Sequence, residues 1–364
     1  MKIKIQQFLF GKNHSWSVVG KNIARALISQ NHNIDLFSTD GINEQYVDED
    51  LRPYIRKTVP NSNYDLQLSY TAMLNFPKYL ANGTKNRFGI WCYEFTTLPT
   101  GFAKYHTYCD LLLPPSQFSY DIFAKNGVPE SKMKVVPHGI DFDKFKNAEP
   151  YSLKTKKKYK LFANIAQPHI RKNIPGMLEA YGKAFTQKDD VCLVLKVVDK
   201  APEHAFELKF SDIFSKFKQK YKNHAEIELI KDYVPKIESL YKAIDILFMI
   251  PNTEGFFLPA AEMLADKKII ITSNYGGQLD FLNKDNSILV DGKIVRAPKQ
   301  AHYWTPSVYS EMFEPSTDDA VEKLRYVINN YDSVKKKVQN NISDEIYTKY
   351  SWDTVASQIL SYAK

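Results

Sequence analysis

Short apolar runs and longer amphipathic stretches alternate along this chain. Segments with helical spacing, such as SWSVVGKNIARALISQN and IPGMLEAYGKAFTQK, separate most of the apolar runs. The runs are rich in β-branched and aromatic residues, which is typical of strands, and in chain order they are IKIQQFLF, NIDLFST, RFGIWCY, LLLPP, KVVPHGI, YKLFANIA, VCLVLKVV, IELI, DILFMI, KIIIT and SILV. Strands separated by helices predict parallel sheets with right-handed crossovers.

These runs are too many for one sheet, and they divide around a Lys-rich stretch at residues 144–160. A chain of 364 residues also suits two domains, each with its own core. We therefore expect an α/β fold with two Rossmann-like doubly wound domains facing a cleft. The predicted N-terminal domain covers residues 1–145, and a linker follows at 146–158.

The composition, 44% hydrophobic and 25% charged, is that of a soluble globular protein. Three scattered cysteines support neither a disulfide framework nor a zinc site, so we expect a reducing, cytoplasmic location. The start MKIKIQQFLF alternates like a strand rather than a signal peptide. The sequence contains no apolar run long enough to span a membrane, and no basic amphipathic helix that supports peripheral membrane contact.

The net charge of +8 is compatible with an anionic binding partner. Lysine clusters occur at 154–160, 216–222 and 335–337, but such runs are usually solvated side chains on linkers and helix faces.

Residues 252–262, NTEGFFLPAAE, place two glutamates on either side of a glycine turn that follows the strand IDILFMI. Pro259 is well placed as the first residue of a helix, so the turn lies at a strand's carboxyl end and a helix N-terminus, where phosphates bind. Glu254 and Glu262 would then flank a diphosphate and accept hydrogen bonds from hydroxyls on its two sides. The backbone N–H groups that would hold the phosphates belong to Gly255, Phe256, Phe257 and Leu258.

Five stretches of the chain form a recognisable series, in this order: KVVPHGIDFDKF, IRKNIPGMLEAYGKAF, LYKAIDILFMIP, EGFFLPAAEMLADKKIIITSNYGG and YSWDTVASQIL. Together they resemble the retaining family 4 glycosyltransferases of the GT-B fold, over essentially the whole chain. The resemblance implies a C-terminal nucleotide-sugar-binding domain at 159–345. It also implies a closing helix at 346–364 that crosses back onto the N-terminal, acceptor-side domain.

The resemblance implies roles for individual residues. Glu254 would hold hydroxyls of the donor sugar beside the reacting centre, and Glu262 would bind the ribose. Lys172 would neutralise the diphosphate leaving group, with Arg171 as a second cation, so that neither a metal ion nor another cofactor is expected.

Two departures from the family pattern stand out. The family usually has an arginine before the lysine, where this chain has Asn164, and Arg171 is the candidate substitute. Its adjacency to Lys172 predicts that the two side chains point differently. In the first domain the family commonly has a histidine, where IWCYEFTTLP offers Glu94 as a candidate catalytic group. The alternative for Glu94 is a partly buried acid paired with a lysine or a backbone donor.

The loop GKNHSWSVVGKN follows the first strand and opens a helix. Gly11 and Lys12 are candidates to approach the donor phosphates, and His14 and Trp16 to contact the acceptor. The alternative for Trp16 is simple packing. Residues 296–314 form an aromatic-rich loop that the pattern does not place, and an acceptor platform or a lid are both open.

Two Asp-x-Asp triplets, DED at 48–50 and DFD at 141–143, fit a metal-binding pattern that also arises by chance. Because oxygen-ligand sites need several converging groups, we predict no metal site.

The leading hypothesis is a retaining, metal-independent transferase that uses a nucleotide diphosphate sugar. A nucleotide-sugar 2-epimerase and a catalytically silent nucleotide-sugar or nucleic-acid binding module remain as alternatives. The acceptor stays open among a glycan, a small molecule and, given the basic balance and the many Lys, Asn and Tyr residues, a modified DNA base.

Overall fold

The chain folds into two compact units, one of Met1–Ile140 with Tyr347–Lys364 and one of Asp141–Ile346. The structure, a computed structural model, describes residues 1–11, 15–58, 63–80, 86–165, 168–198, 202, 204, 206–302 and 309–363. Among these residues, no helix is long and apolar enough to cross a membrane.

The strands and helices follow one another along the chain much as the apolar pattern predicts. The strands are β1 (Lys2–Gln7), β2 (Asn33–Ser38), β3 (Leu66–Tyr70), β4 (Arg87–Ile90), β5 (Leu111–Leu113), β6 (Tyr159–Ile165), β7 (Val191–Val197), β8 (Glu226–Ile230), β9 (Ile246–Phe248), β10 (Ile269–Ser273), β11 (Ile288–Val290), β12 (Gly292–Arg296) and β13 (Glu311–Pro315). The helices are α1 (Ser15–Ser29), α2 (Phe76–Tyr79), α3 (Gln117–Lys125), α4 (Phe142–Lys146), α5 (Ile174–Ala184), α6 (Phe210–Lys220), α7 (Ile237–Ala243), α8 (Leu258–Met263), α9 (Thr317–Asn329), α10 (Tyr331–Asn341), α11 (Glu345–Lys349) and α12 (Trp352–Ser361).

The first unit is built on a five-stranded sheet of order β2-β1-β3-β4-β5, and every neighbouring pair is parallel. Helix α1 buries Val19, Ile23 and Leu27, which recur at intervals of four residues and so lie on one helix face. The sheet and this apolar face form the core of the unit.

Strand predictions failed at two places in this unit. The run KVVPHGI forms no strand, because among the described residues it makes only two backbone hydrogen bonds beside β5, from Lys134 to Leu112 and from Val136 to Pro114, and Pro137 has no N–H to continue a ladder. Strand β3 was not predicted, although all five of its residues are buried. Its polar Gln67 and Ser69 break the apolar pattern, but the strand is central in the sheet.

Helix α12 completes the first unit by packing against α1. Gln30 Nε2 donates to the carbonyl of Asp353 at 3.0 Å. Gly139 lies under Trp352 so closely that an added Cβ would sit 2.4 Å from the indole ring. The glycine in PHGID and the tryptophan in YSWDTV are therefore two sides of one contact.

The second unit contains a six-stranded sheet of order β11-β10-β9-β6-β7-β8, again parallel throughout. Strands β7, β9 and β10 are almost fully buried, as expected for a parallel sheet covered on both faces, and β6 is buried at Leu161–Ala163 and Ile165. An antiparallel ribbon of β12 and β13 interrupts the α/β order between β11 and α9. Its second strand falls largely within segment 296–314, which the sequence pattern left unplaced. The α/β fold with parallel sheets is confirmed.

Candidate active site in the second unit

The turn EGFFLP connects β9 to α8 at the carboxyl edge of the second sheet. Phe256 is buried against Phe281, with ring centroids 5.2 Å apart, and this contact anchors the turn. Phe257 adopts a left-handed conformation, φ 73°, at the helix N-cap, and Pro259 lies in the first turn. Residues Gly255 to Phe257 are buried and Leu258 is half-buried, while their phosphate contacts stay a prediction.

Glu254 is buried and binds two cations, one on each carboxylate oxygen. Arg171 Nη1 lies 2.9 Å from Oε2, and Lys172 Nζ donates to Oε1. Burial alone would raise the pKa of Glu254, but the charges of Arg171 and Lys172 outweigh it and hold the pKa below its usual value. The expectation that Arg171 and Lys172 point differently was wrong, because both side chains converge on one carboxylate.

The backbone of the HIRKN turn explains how two consecutive cations reach the same acid. Ile170–Lys172 form one 3₁₀ turn, and Asn173 has a left-handed conformation, φ 51°, before α5 begins. The Asn173 side chain donates to the carbonyl of Ile250 at 3.0 Å, and Asn252 N–H donates to the carbonyl of Arg171 at 2.7 Å. The turn is thereby tied to the segment that leads into Glu254.

Gly276 supports Glu254 from the neighbouring strand's carboxyl end. Its φ is 107°, and an added Cβ would lie 2.7 Å from the carbonyl oxygen of Glu254. Gly277 N–H donates to the same oxygen at 2.8 Å. Gly276 in SNYGG is therefore required by its positive φ and by the close approach of two backbones at the site.

The ribbon of β12 and β13 is joined to the same loop. Phe313 N–H donates to the carbonyl of Asn252 at 3.0 Å, and the Phe313 ring stacks on Tyr275 at 5.3 Å. Of the segment 296–314, residues 303–308 lie outside the described part of the chain. The platform or lid role therefore stays a prediction, but the described ends of the segment pack beside the glutamate loop.

Glu262 lies one turn into α8, half-buried beside Tyr241. Burial raises the pKa of Glu262 to about 7, with Glu238 adding to the rise, while Tyr241 and Lys144 oppose it. Burial and the nearby Glu262 also raise the pKa of the Tyr241 phenol. Glu262 therefore changes charge near neutral pH, whereas Glu254 stays ionised. Asn164, which stands where the family usually has an arginine, is close to the same Tyr241 hydroxyl.

The residues of the first unit that are candidates for donor binding, acceptor binding or catalysis lie after β1 and β4. Trp16 is half-buried and stacks on Tyr70 at 5.2 Å, with Phe8 at 5.7 Å. Gly11 packs against Asp40, where a side chain would not fit. Glu94 is half-buried in the segment after β4, while Lys12 and His14 lie outside the described residues.

The Asp-x-Asp acids have local partners. Asp48 binds Lys21 at 2.8 Å, and Asp50 binds Arg25 at 2.7 Å. Asp141 accepts a hydrogen bond from the Lys144 N–H and caps α4. Among the described residues, no group of three or more His, Cys, Asp or Glu side chains is arranged to hold a metal ion.

Several residues of the site escaped the sequence analysis. His169 accepts a hydrogen bond from the Arg171 N–H through Nδ1, and Asn252, Tyr275 and Tyr241 make the contacts described above. The proximity of His169 to the lysine segment was visible in the sequence. Its orientation depends on the fold.

The fold matches those of solved glycosyltransferase structures. Over 100% of its length the chain superimposes on a glycosyltransferase of Rickettsia africae, with a TM-score of 0.71, 16% identity and 98% of that chain covered. HepE of Anabaena in complex with UDP gives 0.69 at 13% identity, with 99% of each chain covered. Sucrose-phosphate synthase of Thermosynechococcus elongatus gives 0.70 at 12% identity, covering 99% of this chain and 97% of that one.

Sequence comparison agrees for the second unit. Residues 145–302 match the model of the family described as Glycosyl transferases group 1. A search of curated protein sequences found no match. The predicted GT-B fold and the resemblance to glycosyltransferases are confirmed, while family 4 membership, retention and metal independence stay predictions.

Proposed function

We propose that this protein is a retaining glycosyltransferase that moves a sugar from a uridine diphosphate sugar to an acceptor without requiring a metal ion. The observation that carries the proposal is the buried cluster of Arg171, Lys172 and Glu254 at the carboxyl edge of the second sheet. Solved structures with the same fold include HepE with UDP-glucose and a trehalose-6-phosphate protein of E. coli with UDP-2-fluoro glucose, which supports uridine donors.

The cluster suits the departure of a diphosphate. As the glycosidic bond breaks, negative charge grows on the leaving diphosphate, and Arg171 and Lys172 would stabilise that charge. Fixed cations in a partly dry site stabilise the transition state more than the ground state. Glu254, held between them, would present its carboxylate to the donor sugar, where positive charge develops on the ring.

Glu262 would bind the ribose hydroxyls, since an ionised carboxylate accepts two hydrogen bonds from a diol. Retention is expected from the family resemblance, and the acceptor is left among a glycan, a small molecule and a DNA base.

The test is a screen of uridine diphosphate sugars for release of free UDP, with and without excess chelator, followed by acceptor classes with the best donor. We expect UDP release that persists in chelator, and an acceptor product that keeps the anomeric configuration of the donor. Activity lost in chelator and restored by manganese would contradict the metal-independent part. No UDP release from any donor would contradict the enzyme assignment.

A further inference from the structure

His169 is a fully buried histidine at the N-cap of the turn that carries both cations. We propose that His169 is a positioning residue, which fixes the backbone of Arg171 and Lys172 so that both cations meet the donor diphosphate. This inference rests on the proposed function.

The ring is held on both its polar and its apolar sides. Nδ1 accepts the Arg171 N–H at 2.9 Å. The imidazole stacks on Phe206, with centroids 4.8 Å apart, and Ile170 N–H donates to the carbonyl of Phe206 at 2.9 Å. Phe206 therefore holds both the His169 ring and the backbone beside it. A rotation of the His169 side chain would break the stacking contact and the hydrogen bond to the Arg171 N–H.

The hydrogen bond also fixes the protonation state of the ring. A nitrogen that accepts an N–H carries no proton, so the proton of the neutral imidazole is on Nε2. Burial first, and then the charges of Arg171 and Lys172, lower the pKa of His169 to about 2. His169 thus stays neutral and keeps its acceptor at any pH at which the protein works.

Arg171 is then fixed at three points. Its N–H binds His169, its carbonyl accepts from Asn252 at 2.7 Å, and its guanidinium pairs with Glu254 at 2.9 Å. Cations fixed in advance need no rearrangement when charge develops on the leaving group. Because Lys172 follows in the same turn, a shift of the cap would move both charges together.

The test compares His169→Ala with His169→Asn. Both variants lose the stacked ring, but the asparagine side chain restores an acceptor for the Arg171 N–H, as caps of this type do. Since a misplacement of about 1 Å can cost about 100-fold in rate, we expect kcat of the alanine variant to fall about 100-fold. We expect the donor KM to stay within about 3-fold, and the asparagine variant to recover about 10-fold or more in kcat, by the same positional argument.

His204→Ala is the matched control, because exposed His204 stacks on the same Phe206 at 5.0 Å. It should leave kcat unchanged. Thermal unfolding of all variants establishes that they are folded. An alanine variant as active as the parent would overturn the inference, and so would equal losses in the alanine and asparagine variants.

Calorimetric titration with UDP separates this inference from the proposed function. UDP carries the full charge that the donor acquires only on cleavage, so its affinity should fall in His169→Ala and recover in His169→Asn. UDP binding tests the positioning role of His169 even if the protein turns over no donor. Absence of turnover in the parent protein would count against the proposed function alone. UDP affinity equal in the parent protein and the alanine variant would count against the cap.

Discussion

In the second unit the carboxyl edge of the sheet collects charged side chains, whereas in the first unit the same edge collects aromatic rings. Arg171, Lys172 and Glu254 meet at the one edge. At the other edge Trp16 stacks on Tyr70, whose hydroxyl lies 3.1 Å from Nε2 of His138. Both edges belong to parallel sheets, so the sheet architecture alone does not decide the chemistry.

The two edges differ in whether their buried ionisable groups keep their charge. The buried acid Glu254 keeps its charge because two cations compensate for desolvation, as its lowered pKa reflects. The buried His138 gives up its charge instead, and burial lowers its pKa to about 3. Under the proposed function, the charged edge would bind the diphosphate, and the aromatic edge would offer ring faces to the acceptor.

The largest expected effect comes from breaking the charged edge at Glu254. Glu254→Gln keeps the shape of the side chain but removes the charge, and a neutral amide cannot stabilise positive charge on the sugar ring. We expect turnover to fall by more than about 100-fold. UDP affinity, measured by calorimetry, should be unchanged or higher because both cations lose a competing partner. Full activity of this variant would make Glu254 a structural residue.

Lys172→Ala removes one of the two cations. Its charge acts mainly on the leaving group, so we expect kcat to fall about 100-fold with a smaller change in donor KM. Lys183→Ala, a change in a surface lysine of α5 that pairs with Asp318, is the control and should have no effect. Unchanged turnover in Lys172→Ala would remove this lysine from the mechanism.

Glu262 sharpens the comparison through pH, because its pKa of about 7 makes it the acid of this edge that titrates in the working range. The ionised form binds ribose, so affinity is lost as pH falls through 7. From pH 8 to pH 6 we expect the affinity for UDP-glucose, whose diphosphate has no titration in this range, to drop about 10-fold. Glu262→Gln should bind weakly and with no such slope. A parent profile that is flat with pH would contradict the ribose assignment.

The smallest effect is expected at the aromatic edge. Trp16→Ala removes a ring that is predicted to contact the acceptor. A lost aromatic contact of about 1 kcal/mol corresponds to an acceptor KM about 5-fold higher. UDP affinity should not change. A loss of UDP affinity without loss of thermal stability would assign Trp16 to the donor instead.

Part of this architecture was predictable from the sequence, because the spacing of apolar residues and the order of strands and helices can be read along the chain. The glutamate turn followed a clear strand and preceded a proline, so its place at the carboxyl edge could be predicted. Strand β3 could not, because its burial comes from its central position between β1 and β4 and not from its own composition. The irregular run KVVPHGI failed for the opposite reason, since its apolar spacing was correct but Pro137 has no N–H to continue the pairing with β5 beyond Val136.

The candidate site divides in the same way. Lys172 and Glu254 could be recognised from the sequence segments IRKN and EGFFLP. Their contact joins positions 82 residues apart and could not be predicted without the fold. The convergence of Arg171 on the same acid was mispredicted, because adjacency was taken to separate the side chains and the 3₁₀ turn was not foreseen. His169 was missed because histidine is not among the residues that usually cap a helix.

The contact between Gly139 and Trp352 has a consequence for the order in which the chain acquires its structure. The first unit includes α12, yet α12 follows all residues of the second unit in the sequence. During synthesis the ribosome releases the whole second unit before it releases the helix that covers Gly139 and α1. Domains generally fold as units as they emerge. The N-terminal half is therefore released with Gly139 and the side of α1 that contacts α12 still uncovered, and the second unit can finish folding before α12 packs onto the first.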